Sequence, residues 1–522
     1  MGVRGCRPRT DRGEDRRGRR HVRCAVVPND RNETRSRPAS ADAGTAQRRA
    51  VAELLRVSPV ADDLASRFAE AGFSLALVGG SVRDALLGRL GNDLDFTTDA
   101  RPQDILRIVR PWADAVWEVG IAFGTVGCRK RGPDPAGDPA ERDYQLEITT
   151  YRSEIYDRTS RKPDVAYGDT LEGDLERRDF TVNAMAVALP RKEFVDPYGG
   201  LEDLARGVLR TPGTPERSFS DDPLRMMRAA RFCSQLGFTV APEVRAAMTE
   251  MADRISIVSA ERVRDELNKL LLGRHPRRGL TLLVETGLAD RVLPEIPALR
   301  LERDEHHRHK DVYEHTLTVL EQAIGLEDEG PDLVLRLAAL LHDIGKPKTR
   351  RFEKDGRVSF HHHEVVGAKM ARHRLNKLKY PNETVKDVSR LVELHLRFHG
   401  YGTGEWTDSA VRRYVRDAGP LLPRLHKLTR SDCTTRNKRK ALALSRAYDS
   451  LEERIARLKE QEELDAIRPD LNGNEIMEIL GIRPGPLVGE AYRHMLELRL
   501  EHGPMDREAA VAALKEWWAS RN

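Results

Sequence analysis

The chain has 522 residues, too many for one hydrophobic core and enough for three or four domains. Hydrophobic residues make up 39% and charged residues 33%, and no apolar run approaches the roughly 18 residues of a membrane span, so a soluble, cytoplasmic protein is expected. The net charge of +5 hides an asymmetry: residues 1–50 hold fourteen Arg, no Lys and six acids, a net of +8, which leaves the remainder at about −3. Any nucleic-acid surface must therefore come from local clustering of charge. Five cysteines (Cys6, Cys24, Cys128, Cys233, Cys433) lack Cys-x-x-Cys spacing, which argues for reduced thiols over a disulfide framework or a thiolate zinc site.

Residues 1–50 lack apolar periodicity and are rich in Arg, Pro, Asp and Ser, the composition of a disordered extension; no apolar stretch follows the arginines as a secretory signal requires. Helical periodicity then runs from Val51 to Ala71. An apolar strand, Ser74 to Val78, meets Gly79-Gly80 and a short helix reaching Gly88. Strand 93–98 carries Asp93 and Asp95 at i and i+2. Alternate strand residues share a face, so both carboxylates point one way while Leu94 and Phe96 turn toward a core. Two hard oxygen ligands so placed suit Mg2+ holding a triphosphate. The Gly-Gly turn lets backbone N–H groups approach phosphate oxygens at a helix N-terminus.

A helix opens at Pro102. Gly124 to Arg129 and Tyr144 to Tyr151 alternate and are rich in β-branched residues, which marks neighbouring strands, with a Gly/Pro/Asp-rich mobile loop from Arg131 to Arg142 between them. Glu147, mid-strand among apolar neighbours, reads either as a third carboxylate beside the Asp pair or as a structural ion-pair partner. Arg177-Arg-Asp-Phe-Thr-Val-Asn-Ala-Met185 then sets two cations, a carboxylate and an amide ahead of an apolar run, and residues 186–210 add short strands. A mixed α/β head over 51–212 is the result.

From Pro215 the pattern is helical. Segments 222–236, 243–253 and 260–272 are amphipathic, Gly273 ends a helix and Pro276 begins another, giving a neck over 213–300. Within Asp221-Asp-Pro-Leu-Arg225, Asp222 and Arg225 stand three apart and on one helix would share a face. Cytosine and adenine both present an amino donor beside a ring-nitrogen acceptor; uracil and guanine present a carbonyl beside an N–H donor. A carboxylate next to a guanidinium matches the first pair and repels the second. A helix cap with a surface ion pair is the structural alternative. His315, His342-Asp343, His361-His-His363, His395 and Asp432 mark a His-rich domain over 301–440, and a long charged helix from Ser445 to Ala466 leads a tail over 441–522. Lys427, Arg430, Arg436, Lys438, Arg439 and Lys440 form a basic stretch that fits either phosphate contact or a solvated helix face.

Gly79-Gly-Ser-Val-Arg-Asp84, Asp93-Leu-Asp95 and Arg177-Arg-Asp-Phe-Thr-Val-Asn-Ala184, in this order, resemble the class II CCA-adding enzyme and bacterial poly(A) polymerase family. The resemblance implies an α/β nucleotidyltransferase head, a mixed sheet with helices, followed by an all-α neck, HD and tail region. It assigns Asp93 and Asp95 to Mg2+-dependent catalysis; beside them Glu147 stays the candidate third carboxylate, and Gly79, Gly80, Ser81 and Arg83 are placed to cradle the phosphates. Arg178, Asp179 and Asn183 fall to the ribose and phosphates of the nucleotide, and Asp222 and Arg225 to its base. The family has Glu-Asp-x-x-Arg where this chain has Asp221, which shortens that arm. The histidine series resembles the HD metal-dependent phosphohydrolases and assigns His315, His342, Asp343 and Asp432 to Mn2+, Ni2+, Fe2+ or Mg2+, with His363 and His395 free for a second metal or a phosphate. The activity implied is template-independent addition of CMP and AMP to the tRNA 3' end from CTP and ATP, with no membrane and no protein partner. Poly(A) or A-only addition and HD phosphohydrolysis at RNA 3' ends are the alternatives.

Overall fold

The computed structural model describes residues 59–132, 142–155, 164–168, 170–300, 311–354, 358–398, 401, 406–434, 438–462 and 468–521. The Arg-rich residues 1–50, Cys6 and Cys24 among them, and most of the loop expected over 131–142 lie outside these. The described residues form two units by contact: those up to 398 with Arg413–Asp432, and those of Gly400–Arg412 with Cys433 onward.

The head opens with helix α1 (59–70), then β1 (Leu75–Val78), α2 (Gly80–Leu86), β2 (Asp93–Thr98), α3 (Pro102–Val109), β3 (Ala115–Trp117), β4 (Thr125–Gly132) and β5 (Arg142–Thr150). A hairpin of β6 (Arg152–Ile155) and β7 (Asp164–Tyr167), α4 (Leu171–Glu176), β8 (Ala186–Leu189), β9 (Glu193–Val195) and α5 (Gly200–Arg206) complete it. Seven strands join in the order β3-β4-β5-β2-β1-β8-β9. Among the described strands of this sheet only β2 and β5 pair in parallel. β4 runs to Gly132 and β5 begins at Arg142, so both ends of the stretch expected as a loop are strand. β1 lies mid-sheet and all four of its residues are buried. On one face Ala76 and Val78 pack with Leu175, Ala184 and Ala186; α3 contacts β4 and β5.

The neck holds β10 (Val208–Leu209), α6 (Pro215–Asp221), α7 (Leu224–Leu236), β11 (Thr239–Val240), α8 (Pro242–Glu250), α9 (Ala260–Leu271), α10 (Pro276–Glu285) and α11 (Leu288–Val292). The segment expected as one helix from residue 222 is broken there. Asp222 is extended, at φ −142 and ψ 101, and caps the end of α6. The cause is Pro223, whose ring drives the preceding residue out of the helical region. Gly279 on α10 allows a close approach to α7, because a Cβ there would stand 2.5 Å from the Ala230 carbonyl oxygen.

Next come α12 (Val312–Ile324), α13 (Leu333–Leu341), α14 (Lys346–Thr349), β12 (Arg351–Phe352), β13 (Val358–Ser359), α15 (His363–Lys377), α16 (Asn382–Leu394), α17 (Asp408–Ala418) and α18 (Leu422–Ser431). The tail has α19 (Lys438–Glu462), α20 (Gly473–Leu480), α21 (Pro486–His502) and α22 (Arg507–Ala519). α19 begins at Lys438, earlier than the charge pattern implied, and residues 463–467 lie outside the described residues. Leu471, Ile476, Ala491, Met495, Ala510 and Leu514 make the core of the last three helices. Asn472 and Glu475 close a capping box on α20.

Candidate active site and metal centre

β2 alternates as its sequence requires: Leu94 and Phe96 are 1% exposed while Asp93 and Asp95 face out. The parallel register places Asp95 opposite Glu147 and Asp93 opposite Gln145, so the third carboxylate lands on the same face as the Asp pair. Burial pushes the Asp95 carboxyl up to about 6; Arg178 draws it down, Glu147 and Asp93 push it further up, and Arg83 opposes them. Three mutually repelling oxygen donors suit a divalent cation, which relieves the repulsion by binding between them. The Ser81 hydroxyl accepts the Asp95 N–H at 2.9 Å, so the Gly-Gly-Ser turn sets the backbone of the acidic strand.

Gly79 has φ +66, and a Cβ there would stand 2.6 Å from Arg178 Nη1. The positive φ favours glycine here, and the Arg178 guanidinium packs directly against it. The Gly79 N–H donates to the Met185 carbonyl, which leaves Gly80 and Ser81 as the first-turn amides of α2. Arg83 does not present an open fork. Its Nε and Nη2 donate to Asp84 and its Nη1 to Asn183 Oδ1 at 2.6 Å.

Asp179 is buried, 6% exposed, and accepts from its neighbour's N–H at Phe180, from Asn183 Nδ2 and from Arg228 Nε at 2.7 Å. Burial opposes its ionisation, but the Arg228 charge and the Asn183 and Arg228 hydrogen bonds prevail and hold the carboxyl well below the usual range. A direct contact of Asp179 or Asn183 with a nucleotide would require these bonds to open. Both residues, as they stand, tie the Arg-Arg-Asp segment to α7. Arg178, paired with Asp174 at 3.1 Å, remains beside the Gly-Gly turn.

Asp222 and Arg225 do not share a helix face, because Asp222 stands before α7. Asp222 Oδ1 accepts the Leu224 N–H at 3.1 Å and Oδ2 pairs with Arg262 at 2.9 Å. Arg225 Nη1 donates to Ser218 Oγ at 2.8 Å and Nη2 to the Arg177 carbonyl at 2.5 Å. Different partners thus hold the two groups expected to read a base.

The histidine series converges. His315 Nε2 lies 3.0 Å from Asp432 Oδ1 and 3.5 Å from Asp343 Oδ2, His342 Nε2 3.3 Å from Asp343 Oδ2, and His363 Nε2 3.2 Å from Asp343 Oδ1. Two triads, His315/His342/Asp432 and Asp343/His363/His395, each place one ligand atom per residue within 4.8 Å of one another. Nδ1 of His342, His363 and His395 faces the carbonyl of Ala339, Phe360 and Val392, at 2.8, 2.8 and 2.6 Å. A carbonyl only accepts, so Nδ1 carries the proton and Nε2 offers a lone pair inward. All three Nε2 atoms are buried without a hydrogen-bond partner. Lone pairs facing carboxylates fit a metal cation. Burial pushes the His395 imidazole down to about 3, which keeps it neutral. A cavity of 560 Å³ lined by Asp343, Lys346, His361, His363, His395 and Asp432 opens onto the cluster.

The chain matches the Poly A polymerase head domain over residues 75–210, the probable RNA and SrmB-binding site of polymerase A over 237–299, and the HD domain over 312–437. An "A-adding tRNA nucleotidyltransferase" of Deinococcus radiodurans is 36% identical across 85% of this chain and 95% of that one. The chain belongs to the tRNA nucleotidyltransferase and poly(A) polymerase family. A "CC-adding tRNA nucleotidyltransferase" of Thermus thermophilus is 32% identical over 85% of this chain and 94% of its own length. Among solved structures, the Bacillus stearothermophilus CCA-adding enzyme in complex with CTP aligns at TM-score 0.63 and 26% identity, covering 90% of this chain and 98% of that one.

Within this family member, sequence reasoning missed Arg228, Arg262, Ser218 and Lys346. Arg228 lies one turn beyond Arg225, and Lys346 one turn beyond Asp343, so helical spacing could have found both. Ser218 and Arg262 come from other helices, and no local pattern points to them. Cys128 and Cys233 are buried free thiols, pushed up to about 12 by burial, in keeping with the reduced thiols expected from their spacing.

Proposed function

We propose that this tRNA nucleotidyltransferase adds CMP and AMP to the tRNA 3' end without a template, restoring CCA. The observation that carries the reading is the register of β2 on β5, which unites Asp93, Asp95 and Glu147 beside Arg178 and the Gly79-Gly80 turn. Mg2+ suits these oxygen donors, and when bound it supplies activation of the attacking 3'-hydroxyl and neutralisation of the triphosphate. Asp93 and Asp95 would hold it, with Glu147 as third acceptor. Arg178 faces the same turn and offers guanidinium donors to phosphate oxygens. Ser81 keeps the acidic strand in place, while Asp179 and Asn183 keep the Arg-Arg-Asp segment docked on α7. Asp222 and Arg225 supply the acceptor and donor that match cytosine and adenine. No helix among the described residues is long and apolar enough to cross a membrane, and a cytoplasmic location suits a tRNA substrate.

Purified protein given tRNA lacking its CCA end, with each nucleoside triphosphate alone and in pairs, tests this. CMP transfer followed by AMP transfer is expected; AMP transfer without CMP transfer would sink CCA addition. A-only addition is the second reading, favoured by the A-adding Deinococcus relative. For the HD cluster we propose divalent-metal binding by His315, His342, Asp343 and Asp432, with His363 and His395 completing a second position. The mixed imidazole and carboxylate set favours Mn2+, Ni2+ or Fe2+ over Mg2+. Metal content of the purified protein, measured by mass spectrometry, should fall in His342→Ala and His395→Ala.

A further inference from the structure

We infer that Trp117, on β3, is the platform on which the 3'-terminal base of the acceptor RNA stacks while its hydroxyl is extended. This rests on the proposed reading of Asp93, Asp95 and Glu147 as the metal-binding face of the head. Register carries that face beyond the carboxylates. Asp95 lies opposite Glu147, Glu147 opposite Gly127 and Gly127 opposite Trp117, so four strands line up one row of residues on one side of the sheet. The other side is closed, since Val126, Cys128, Leu146 and Ile148 are all buried.

Gly127 makes the row continuous. A Cβ there would collide with Nε1, Cε2 and Cδ1 of Trp117, so the five-membered ring of the indole occupies the space that a side chain would take. The ring thereby covers the strand next to Glu147, one strand spacing of about 4.8 Å away. Trp117 is half-buried, which leaves part of the indole open to a ligand. The connection from β3 to β4 also exposes Val119, at 90%, and Phe123, at 53%, so it presents apolar surface to solvent. Two residues along β4 from Gly127, Arg129 turns to the same side, and its Nε is buried without a hydrogen-bond partner.

The position also fits the direction of the reaction. Sheet order places β1, with the glycine turn that Arg178 packs against, on one side of β2, and β5, β4 and β3 on the other. In an in-line displacement the attacking hydroxyl approaches opposite the leaving pyrophosphate. A triphosphate at the glycine turn therefore puts the acceptor nucleoside over β5 and β4, with its 3'-hydroxyl at the carboxylates and its base at the indole. Aromatic stacking accepts every base, as a site must whose terminal nucleotide changes with each addition. Arg129 offers guanidinium donors to a phosphate of the same strand.

The test is steady-state nucleotide transfer to tRNA lacking its CCA end, and to the same tRNA with its 3'-terminal base removed, for wild type, Trp117→Ala, Trp117→Phe, Gly127→Ala and Asp95→Asn. Trp117→Ala should raise KM for the intact tRNA about tenfold and leave KM for the transferred nucleotide unchanged. Trp117→Phe, which keeps an aromatic face, should recover most of the loss. Gly127→Ala keeps the tryptophan but displaces its ring, and should behave as Trp117→Ala does. Removing the base should cost wild type the same factor and cost Trp117→Ala nothing further, an outcome that a merely structural role would not produce. Thermal melting checks that the variants fold; should Trp117→Ala not fold, Trp117→Leu takes its place. If the missing base costs Trp117→Ala as much as it costs wild type, or if only KM for the nucleotide moves, the inference is overturned, and the metal-face reading stands where Asp95→Asn abolishes transfer. If Asp95→Asn retains transfer, both fall.

Discussion

At Asp95 three carboxylates and two guanidinium groups meet on one strand face, and the balance leaves an acid pushed up to about 6. Replacing it with an isosteric amide removes the proposed metal ligand and a repelling charge together. Asp95→Asn should therefore cut CMP and AMP transfer by about a thousandfold, the equivalent of about 4 kcal/mol, while the melting temperature holds or rises; retained activity would remove Asp95 from catalysis. Asp179 behaves in the opposite sense. Its folded-state carboxyl is depressed, so the stability it contributes is present above the unfolded value of about 4 and is lost as pH falls through the folded one. Arg228 keeps 35% exposure, so breaking the pair should cost roughly 2–3 kcal/mol, less than a fully buried pair. Denaturant melts of Asp179→Asn and wild type should differ by that amount at pH 7, and the gap should narrow progressively as pH falls below about 4; a gap that does not narrow would exclude the charge as the cause.

Elements set which of these residues can meet. The alternation of β2 and the Gly-Gly turn into α2 were legible because each depends only on neighbours in the chain. The break at Asp222 was not read, although its cause, Pro223, was in plain view: helical periodicity on either side masked the local rule for residues before proline. Close helix approaches are a further level that periodicity does not reach. Gly345 follows the His342-Asp343 pair, and a Cβ there would stand 2.1 Å from the His363 carbonyl oxygen. Gly345→Ala should force α15 away, displace His363 and lower the bound metal, measured by mass spectrometry, with little effect on nucleotide transfer. At Gly279 the obstacle is the backbone of α7, and Gly279→Ala should destabilise the protein by about 1–3 kcal/mol in denaturant melts.

At the scale of the whole molecule, two acidic centres lie in one chain on different elements, the first on β2 and β5 and the second on α12, on α15 and just past the C-terminal ends of α13, α16 and α18. Sites with no shared partner are expected to act additively. Asp343→Asn should thus empty the HD cluster of metal yet leave CMP transfer within about twofold of wild type, and the Asp95→Asn/Asp343→Asn double variant should match the sum of the two single changes. Strong coupling in that cycle would show that the centres share a conformational element.

By itself the sequence determined the chemistry on offer: two carboxylates on one strand face, a glycine turn, an Arg-Arg-Asp segment, and six histidines with two aspartates at long spacing. These follow from local periodicity and from side-chain charge. Tertiary structure alone decided which groups meet. It paired β5 with β2 and so brought Glu147 to Asp95, turned Arg83 toward Asp84 and Asn183, buried Asp179 under Arg228, and gave Asp222 to Arg262. The reason is physical: register across a sheet and between packed helices is set by burial of apolar faces far apart in the chain, and no window of sequence contains both partners.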